Sequence, residues 1–392
     1  MRVELSLVGV RPFVISFYHR GNMVRKLTIG DIAQLAGVSK ATVSRVLNHK
    51  PDVDPATRER ILRIMEEQRF VPSVTASRLA GGRSNLVGML VPSFTWPFIS
   101  DILGGVAEAI GKTPYELILY GISNKTREDD SGDVIDHILA TNLVAGLLAI
   151  LPGQSAGHVV SLYEQGFPVV MLDDQEMPLK VPWVGTDNRG GALAATRHLI
   201  QLGHRRIAHI RGPMHYLCSR ERYEGFCEGM QEAGLPVDPA WIIEGDFTEE
   251  GGRAAAHLLF SLPEEQRPTA IFAASDLTAY GILKVASECA IHIPDDVALV
   301  GFDDLAPSAH THPALTTVAQ PFYEMGRRSA ELLLSLIEKP VTMPYTSLYS
   351  PSLDHADRTG GNDVPPVRIQ LPTHLVVRES CGASLQAIQG HI

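Results

Sequence analysis

Between residues 28 and 70 apolar positions recur three and four apart, whereas from residue 86 short continuous apolar runs alternate with helical periods. In Thr28–Ala36 the residues Ile29, Ile32, Ala33 and Ala36 share one helical face, and Thr28 followed by Asp31 has the form of a capping box. Gly37 can take the left-handed conformation that ends a helix, and Ser39 can cap a second one over Lys40–Leu47. That helix turns Val43 and Val46 inward and leaves Lys40, Ala41, Thr42, Ser44 and Arg45 outward. Asp54 and Pro55 open a third helix whose inner face is expected to hold Ile61, Leu62, Met65 and Phe70. Two short helices around a glycine-containing turn, closed by a third, predict a helix-turn-helix.

The runs Leu86–Val91, Glu116–Tyr120, Gly146–Ile150 and Pro168–Leu172 read as buried parallel strands, and Arg206–Ile210, Ala270–Ala273 and Val297–Phe302 form a second such series. Strand and helix alternating twice over predict an α/β core of two doubly wound parallel-sheet lobes. Lobes of this kind bind ligands at the carboxyl ends of their strands, here in the cleft between them.

At 392 residues the chain is too long for one small module, and its composition, 45% apolar and 20% charged, is that of an ordinary globular protein. The net charge of −10 argues, taken whole, against a polyanionic partner. Divided by segment it reverses: residues 1–22 carry +2, residues 23–85 carry +5 and residues 86–392 carry −17. A basic unit is joined to an acidic one, which points to nucleic acid at one end and another ligand at the other.

Cys218, Cys227, Cys289 and Cys381 form no C-x-x-C pair, so neither a zinc ribbon nor a disulfide framework is suggested, and a reducing cytoplasm fits. No apolar run reaches the roughly 18 to 20 residues that span a bilayer. The stretch Val3–Tyr18 is interrupted by Glu4 and Arg11 and lacks the marks of a secretory signal. Residues 1–22 read as a disordered extension, with Met23 a second possible start.

The run from Leu27 to Asn48, LTIGDIAQLAGVSKATVSRVLN, resembles the DNA-binding headpiece of the lactose/galactose repressor (LacI/GalR) family. The likeness continues through Thr57–Ile61 and Phe70–Ser73 to Ser77–Gly81, then with gaps to Leu375–Ser380, and so covers nearly all of residues 26–381. It implies a headpiece over 23–72, a hinge helix and linker over 73–85, and a periplasmic-binding-protein-like core for ligand binding and dimerisation over 86–392. The partners implied are operator DNA, a small-molecule effector, most readily a carbohydrate, and a second copy of the chain. No cofactor is implied.

By position in the family motif, Lys40 and Ala41 choose the operator sequence, while Thr28, Ser39, Thr42, Ser44, Arg45, Asn48 and Ser73 contribute base or phosphate contacts. Lys can donate to guanine O6 and N7, and Ala offers an apolar contact to a thymine methyl. Ser73–Ala80 resembles the hinge helix, too short to be stable alone. Its Leu79 matches the wedge that enters the minor groove and bends the duplex.

Carried over in the same way, the cleft receives the loop Pro92–Phe98 with Trp96 and Phe98, together with Asp173, Arg222, Phe247, Ser275, Asp276, Asp303 and Gln320. The chemistry suits a polyhydroxylated ligand. Arg222 can donate a fork of hydrogen bonds, the aspartates can accept from hydroxyls, and the aromatic rings can cover a sugar face. A purine could use the same aromatics, and Asp276 and Asp303 could equally cap the helices after their strands. Ser275 stands where many sugar-binding relatives have Asn. Residues 345–364, rich in Ser, Asp, Gly and Pro, are extra relative to the family and read as a surface loop.

His310-Thr311-His312 has no further ligands clustered with it, and Pro313 follows, so a loop is expected rather than a metal site. Asp173-Asp174 and Asp303-Asp304 are accompanied by no nucleophile motif, P-loop or GxGxxG, so no enzyme is read. A transporter's solute-binding protein would share the lobes but would need a signal peptide and no helix-turn-helix. Ala383–Ile392 lacks sustained heptads, so a dimer is expected rather than a tetramer. The reading is a cytoplasmic transcription regulator, a repressor, whose operator binding responds to a ligand through the relation between its lobes.

Overall fold

A computed structural model of the chain describes residues 27–47, 50–68, 70, 84–121, 143–150, 156–173, 181–338 and 366–383. The extension 1–22, Asn48, Ser73, the hinge residues through Leu79 and the insertion 345–364 lie outside the described residues. The chain divides into two compact units between Arg83 and Ser84.

In the first unit local chemistry sets the helix ends. Thr28 accepts from the Asp31 amide while Asp31 accepts from the Thr28 amide at 2.8 Å, which starts α1 (Ile29–Ala36) with a complete capping box. Gly37, at φ 64°, ends it. Ser39 accepts from the Thr42 amide at 3.1 Å and opens α2 (Lys40–Leu47), and Asp54 caps α3 (Pro55–Glu67). Ile32, Val43, Val46 and Ile61 are almost wholly buried and form the centre of the small core. Leu62, expected inside, is 50% exposed. One residue along a helix turns the side chain by about 100°, and with Ile61 and Met65 buried it is Ile64 that packs inward.

The second unit contains two six-stranded sheets. The first has the order β2-β1-β3-β4-β5-β11, with β1 at Leu86–Val91, β2 at Glu116–Gly121, β3 at Gly146–Ile150, β4 at Val169–Leu172, β5 at Trp183–Thr186 and β11 at Arg368–Leu371. Its strands are all parallel. The second repeats the order as β7-β6-β8-β9-β10-β12, with β6 at Ile207–Arg211, β7 at Ile242–Glu244, β8 at Ala270–Ala273, β9 at Ala298–Asp303, β10 at Thr316–Ala319 and β12 at His374–Val376. Here only the edge strand β12 runs antiparallel.

Both faces of each sheet are covered, which accounts for the unbroken apolar runs. The edge strand β2 differs from the expectation of a buried strand. It alternates between exposed and half-buried positions and leaves Leu119 41% exposed, because an edge has a neighbour on one side only. The strands β5, β7, β10, β11 and β12 are not among the apolar runs read from the sequence, although β4 and β8 are just as short as β5, β10 and β11.

Among the described residues the helices of the first lobe are α4 (Ile99–Gly111), α5 (Ala156–Glu164) and α10 (Phe322–Glu338); those of the second are α6 (Asn188–Gln201), α7 (Leu217–Glu232), α8 (Glu249–Phe260) and α9 (Asp276–Glu288). Glycines let paired helices meet backbone to backbone. A Cβ on Gly105 would lie 1.9 Å from the Tyr323 carbonyl oxygen, and one on Gly326 would lie 2.1 Å from that of Ile102. The α4–α10 contact holds Phe98 and Phe322, at the starts of the two helices, in one stack with ring centroids 4.9 Å apart.

Among the described residues the chain passes between the lobes three times: between β5 and α6, between β10 and α10, and between β11 and β12. Ser84 already belongs to the core, because its hydroxyl donates to the Leu143 carbonyl at 2.7 Å.

Candidate functional site

In the first unit Lys40, Ala41 and Arg45 are exposed on α2, while Thr42 and Ser44 are half-buried along it. The hydroxyls of Thr28 and Ser39 are engaged as helix caps, so any phosphate they meet shares them with the backbone. Ser39 and Thr42 also join their hydroxyls at 2.9 Å. Arg45 pairs with Asp52 at 3.6 Å with both side chains more than half exposed, a weak tie that leaves the guanidinium available at the surface. Arg58 donates to the Lys50 carbonyl and ties the turn before α3 to that helix.

The second unit holds a cavity of about 250 Å³ where the carboxyl ends of the two sheets face each other. Of the nine expected ligand residues, Trp96, Phe98, Asp173, Arg222, Phe247, Ser275, Asp303 and Gln320 line it. Its wall is two-sided. The first lobe supplies Trp96, Pro97, Phe98, Ile102, Ile150, Leu172, Phe322 and Met325, with Asp173 as the polar exception. Trp96, Phe98 and Phe322 form an aromatic ladder with steps of 5.6 and 4.9 Å. The second lobe and its crossover supply Tyr216, Cys218, Arg222, Asp246, Phe247, Thr248, Ser275, Asp303 and Gln320, and Leu277 completes the lining.

Arg222 is the centre of the polar side. It is 4% exposed, with its guanidinium 3.8 Å from the Phe302 ring centroid and 5.9 Å from that of Phe247. Its Nε donates to Asn188 Oδ1 at 3.0 Å, and Nη1 donates to the Ala274 carbonyl and lies 3.5 Å from Asp303 Oδ1. Gln320 Nε2 donates to the same Asp303 oxygen at 2.7 Å. Burial pushes the Asp303 carboxyl above the usual range, while Arg222 and Gln320 oppose that by favouring the carboxylate. Burial also pushes the Cys218 thiol up to about 12, so this cysteine, one helical turn before Arg222, meets a ligand as a neutral thiol.

Asp276 departs from the expectation. It is wholly buried beneath the cavity, where its carboxylate accepts from the Leu305 amide at 2.8 Å and from the hydroxyls of Ser308 at 2.7 Å and Thr317 at 2.6 Å. A carboxylate with three such donors is a brace between α9 and the loop after β9. The helix cap that Asp276 could have provided belongs instead to Ser275, which accepts from the Thr278 amide at 3.2 Å.

Backbone geometry marks the same place. Asp173, Phe247 and Asp303, three of the five described non-glycine residues with positive φ, all line the cavity. Each such conformation costs about 1–3 kcal/mol and persists only where the surroundings hold it. Sequence reasoning missed Tyr216, Cys218, Asp246, Thr248, Phe322 and Met325. Cys218 was legible as the residue four before Arg222 on one helix, and Asp246 and Thr248 as the polar flanks of Phe247. Phe94 of the expected cleft loop points elsewhere: it is 55% exposed, and its ring covers Gly121.

Among the described residues no helix is long and apolar enough to cross a membrane, and no cluster of three metal-ligating side chains is present. His310 and His312 lie in the loop before β10.

A capped helix-turn-helix followed by two isomorphous lobes around a polar and aromatic cleft defines a ligand-responsive DNA-binding regulator. Residues 28–73 match the family "Bacterial regulatory proteins, lacI family", and residues 196–381 match the "Periplasmic binding protein-like domain". The chain is 36% identical over 368 residues to the HTH-type transcriptional regulator CelR of Thermobifida fusca, covering 91% of this chain and 98% of CelR. A solved CelR–cellobiose complex is 34% identical, with a TM-score of 0.62 over 90% of this chain and 99% of that one. The lac repressor dimer bound to operator and the anti-inducer ONPF is 25% identical, with a TM-score of 0.76 over 92% of this chain and 100% of that one. The chain therefore belongs to the LacI family of transcription regulators and binds operator DNA through its headpiece.

Proposed function

We propose that the protein is a cytoplasmic, dimeric, non-enzymatic repressor whose operator affinity is set by a carbohydrate in the interlobe cleft, with a glucose disaccharide of the cellobiose type as the first candidate. The observation that carries this is the two-sided wall. Arg222, Asp303 and Gln320 offer donors and acceptors to ring hydroxyls, and the Trp96–Phe98–Phe322 ladder faces them with flat apolar area for a sugar ring. The relative solved with cellobiose supports the ligand class, and the operator-bound lac repressor dimer supports the assembly.

On DNA, Lys40 and Ala41 read base edges from the start of α2, while Thr28, Ser39, Thr42, Ser44, Arg45, Asn48 and Ser73 hold bases or phosphates. Leu79 wedges the minor groove. Trp96, Phe98, Asp173, Arg222, Phe247, Ser275, Asp303 and Gln320 contact the effector, with Asp276 bracing them from below. The ligand acts by preferring one arrangement of the lobes, which biases whether the two hinge segments of a dimer can pair on the operator.

Isothermal titration of the full chain with cellobiose, a monosaccharide and a purine tests the reading. Saturable heat with cellobiose that disappears in Arg222→Ala supports it. Heat with the purine alone, or turnover of the sugar, contradicts it.

A further inference from the structure

Five hydrogen bonds close a ring at the base of the cleft. Thr186 donates to Gln320 Oε1 at 2.8 Å, Gln320 donates to Asp303 Oδ1 at 2.7 Å, and Arg222 Nη1 reaches Asp303 Oδ1 at 3.5 Å. Arg222 Nε then donates to Asn188 Oδ1 at 3.0 Å, and Asn188 Nδ2 returns to the Thr186 carbonyl at 3.4 Å. Four of these residues line the cavity or stand at a crossover between the lobes. Asn188 itself is 2% exposed and is not among the lining residues.

The amide of Asn188 can face only one way. Its oxygen accepts from Arg222, and its nitrogen donates both to the Thr186 carbonyl and, at 3.2 Å, to Glu221 Oε2. Reversing the amide would set NH₂ against the guanidinium N–H and oxygen against the Thr186 carbonyl, losing both of those bonds. The two elements that carry the partners are fixed to each other. Asn188 is the first residue of α6, directly after the Asp187 cap, while Glu221 and Arg222 are neighbours on α7. A Cβ on Gly225 of α7 would lie 2.2 Å from the Arg189 carbonyl oxygen of α6, so the helices meet with no slack at this level.

We infer that Asn188 is a positioning residue of the effector site: its amide, oriented by Glu221 and the Thr186 carbonyl, sets the Arg222 guanidinium in the attitude that the ligand meets. The inference rests on the reading of the cavity as the effector site. An arginine held at Nε has its fork aimed in advance, so the ligand need not order a long flexible side chain on arrival.

Asparagine is required for its two-sidedness. A leucine of similar size removes all three hydrogen bonds of the amide. An aspartate keeps the acceptor for Arg222 but turns a carboxylate oxygen toward Glu221. Glu221 already faces Asp173 from the end of β4, Asp187 from the cap of α6 and Glu224 on its own helix, where Arg222 is the next residue. The new carboxylate and Glu221 can coexist at short range only by sharing a proton.

The ligand-free crystal structures of Asn188→Leu and Asn188→Asp, made in the full chain, test this. In the leucine variant the guanidinium of Arg222 is expected to turn about its Nη1 contact with the Ala274 carbonyl, carrying Nε more than about 1 Å away while Phe302 and Asp303 stay, since among the described residues Asn188 alone accepts from Nε. A guanidinium that superposes on the unmodified one overturns the inference, whatever the effector is. Cellobiose titration of both folded variants supplies the second readout. The leucine variant should bind about tenfold more weakly at every pH. The aspartate variant should be equally weak at pH 8 and recover toward unmodified affinity as the pH falls to 6. Identical pH profiles for the two variants overturn the inference. Failure of the unmodified protein to bind cellobiose counts against the effector reading alone, and the guanidinium position then decides the role of Asn188.

Discussion

Thr186 and Gln320 belong to different crossovers between the lobes, and the Thr186 hydroxyl joins them by donating to Gln320 Oε1 at 2.8 Å. Thr186 is 1% exposed, so its replacement by Val leaves a carbonyl oxygen in the hinge without that donor. The expected cost is about 1–3 kcal/mol of core stability. A urea midpoint for Thr186→Val equal to that of the unmodified protein would show that the link contributes nothing.

Glu221 makes the core less stable as the pH rises. Burial lifts its carboxyl to about 7 from 4.5, so between those values the folded state binds more protons than the unfolded state, and stability falls across that window. A shift of this size is worth about 3 kcal/mol at most, and solvent around the half-buried side chain reduces it to roughly 1–2 kcal/mol. Glu221→Gln keeps an acceptor for Asn188 and removes the charge. Its urea midpoint should fall less between pH 5 and pH 7.5 than that of the unmodified protein, and parallel profiles would contradict the assignment.

Gly37 ends α1 at φ 64°, with open space where a Cβ would be. The strain of Gly37→Ala is therefore conformational alone, about 1–2 kcal/mol. Hydrogen exchange on the full chain should show faster exchange in α1 and α2 with the core amides unchanged. Unaltered headpiece protection would mean that the left-handed cap is dispensable.

Lys40 is exposed at the first position of α2, where a side chain can reach a base edge. Competition among operator variants should show that Lys40→Ala loses about 1–3 kcal/mol of preference at one base pair. A uniform loss over all sequences, with a shallower salt dependence, would reassign Lys40 to a phosphate.

How far these sites were legible depends on the range of the interactions that build them. Thr28, Gly37, Ser39 and Asp54 act on residues three or four away, so the headpiece could be read almost whole from spacing. Leu62 was misplaced because one step around a helix separates a core position from a surface one, and apolarity alone does not choose between them. The cleft was legible where a motif carried it, as at Arg222 and Asp303. Asp276 was not, because its three donors come from Leu305, Ser308 and Thr317, about 30 to 40 residues along the chain. Asn188 escaped for the same reason: its partner Arg222 is 34 residues distant, and no local pattern distinguishes a bridging amide from an ordinary first helical residue. The aromatic ladder depends on the chain returning from the second lobe into α10 to set Phe322 against Phe98, a relation that only topology creates.

If a sugar in the cleft controls the headpiece on DNA, fluorescence anisotropy on a labelled duplex from upstream of the protein's own gene will register it. The full chain should bind with an affinity that falls steeply with salt. Saturating cellobiose should change that affinity about tenfold, within the 1–3 kcal/mol usual for coupled sites. In Arg222→Ala the operator affinity should remain and the response to sugar should vanish. An operator affinity that stays constant while bound cellobiose saturates the unmodified protein would mean that the cleft does not control the headpiece.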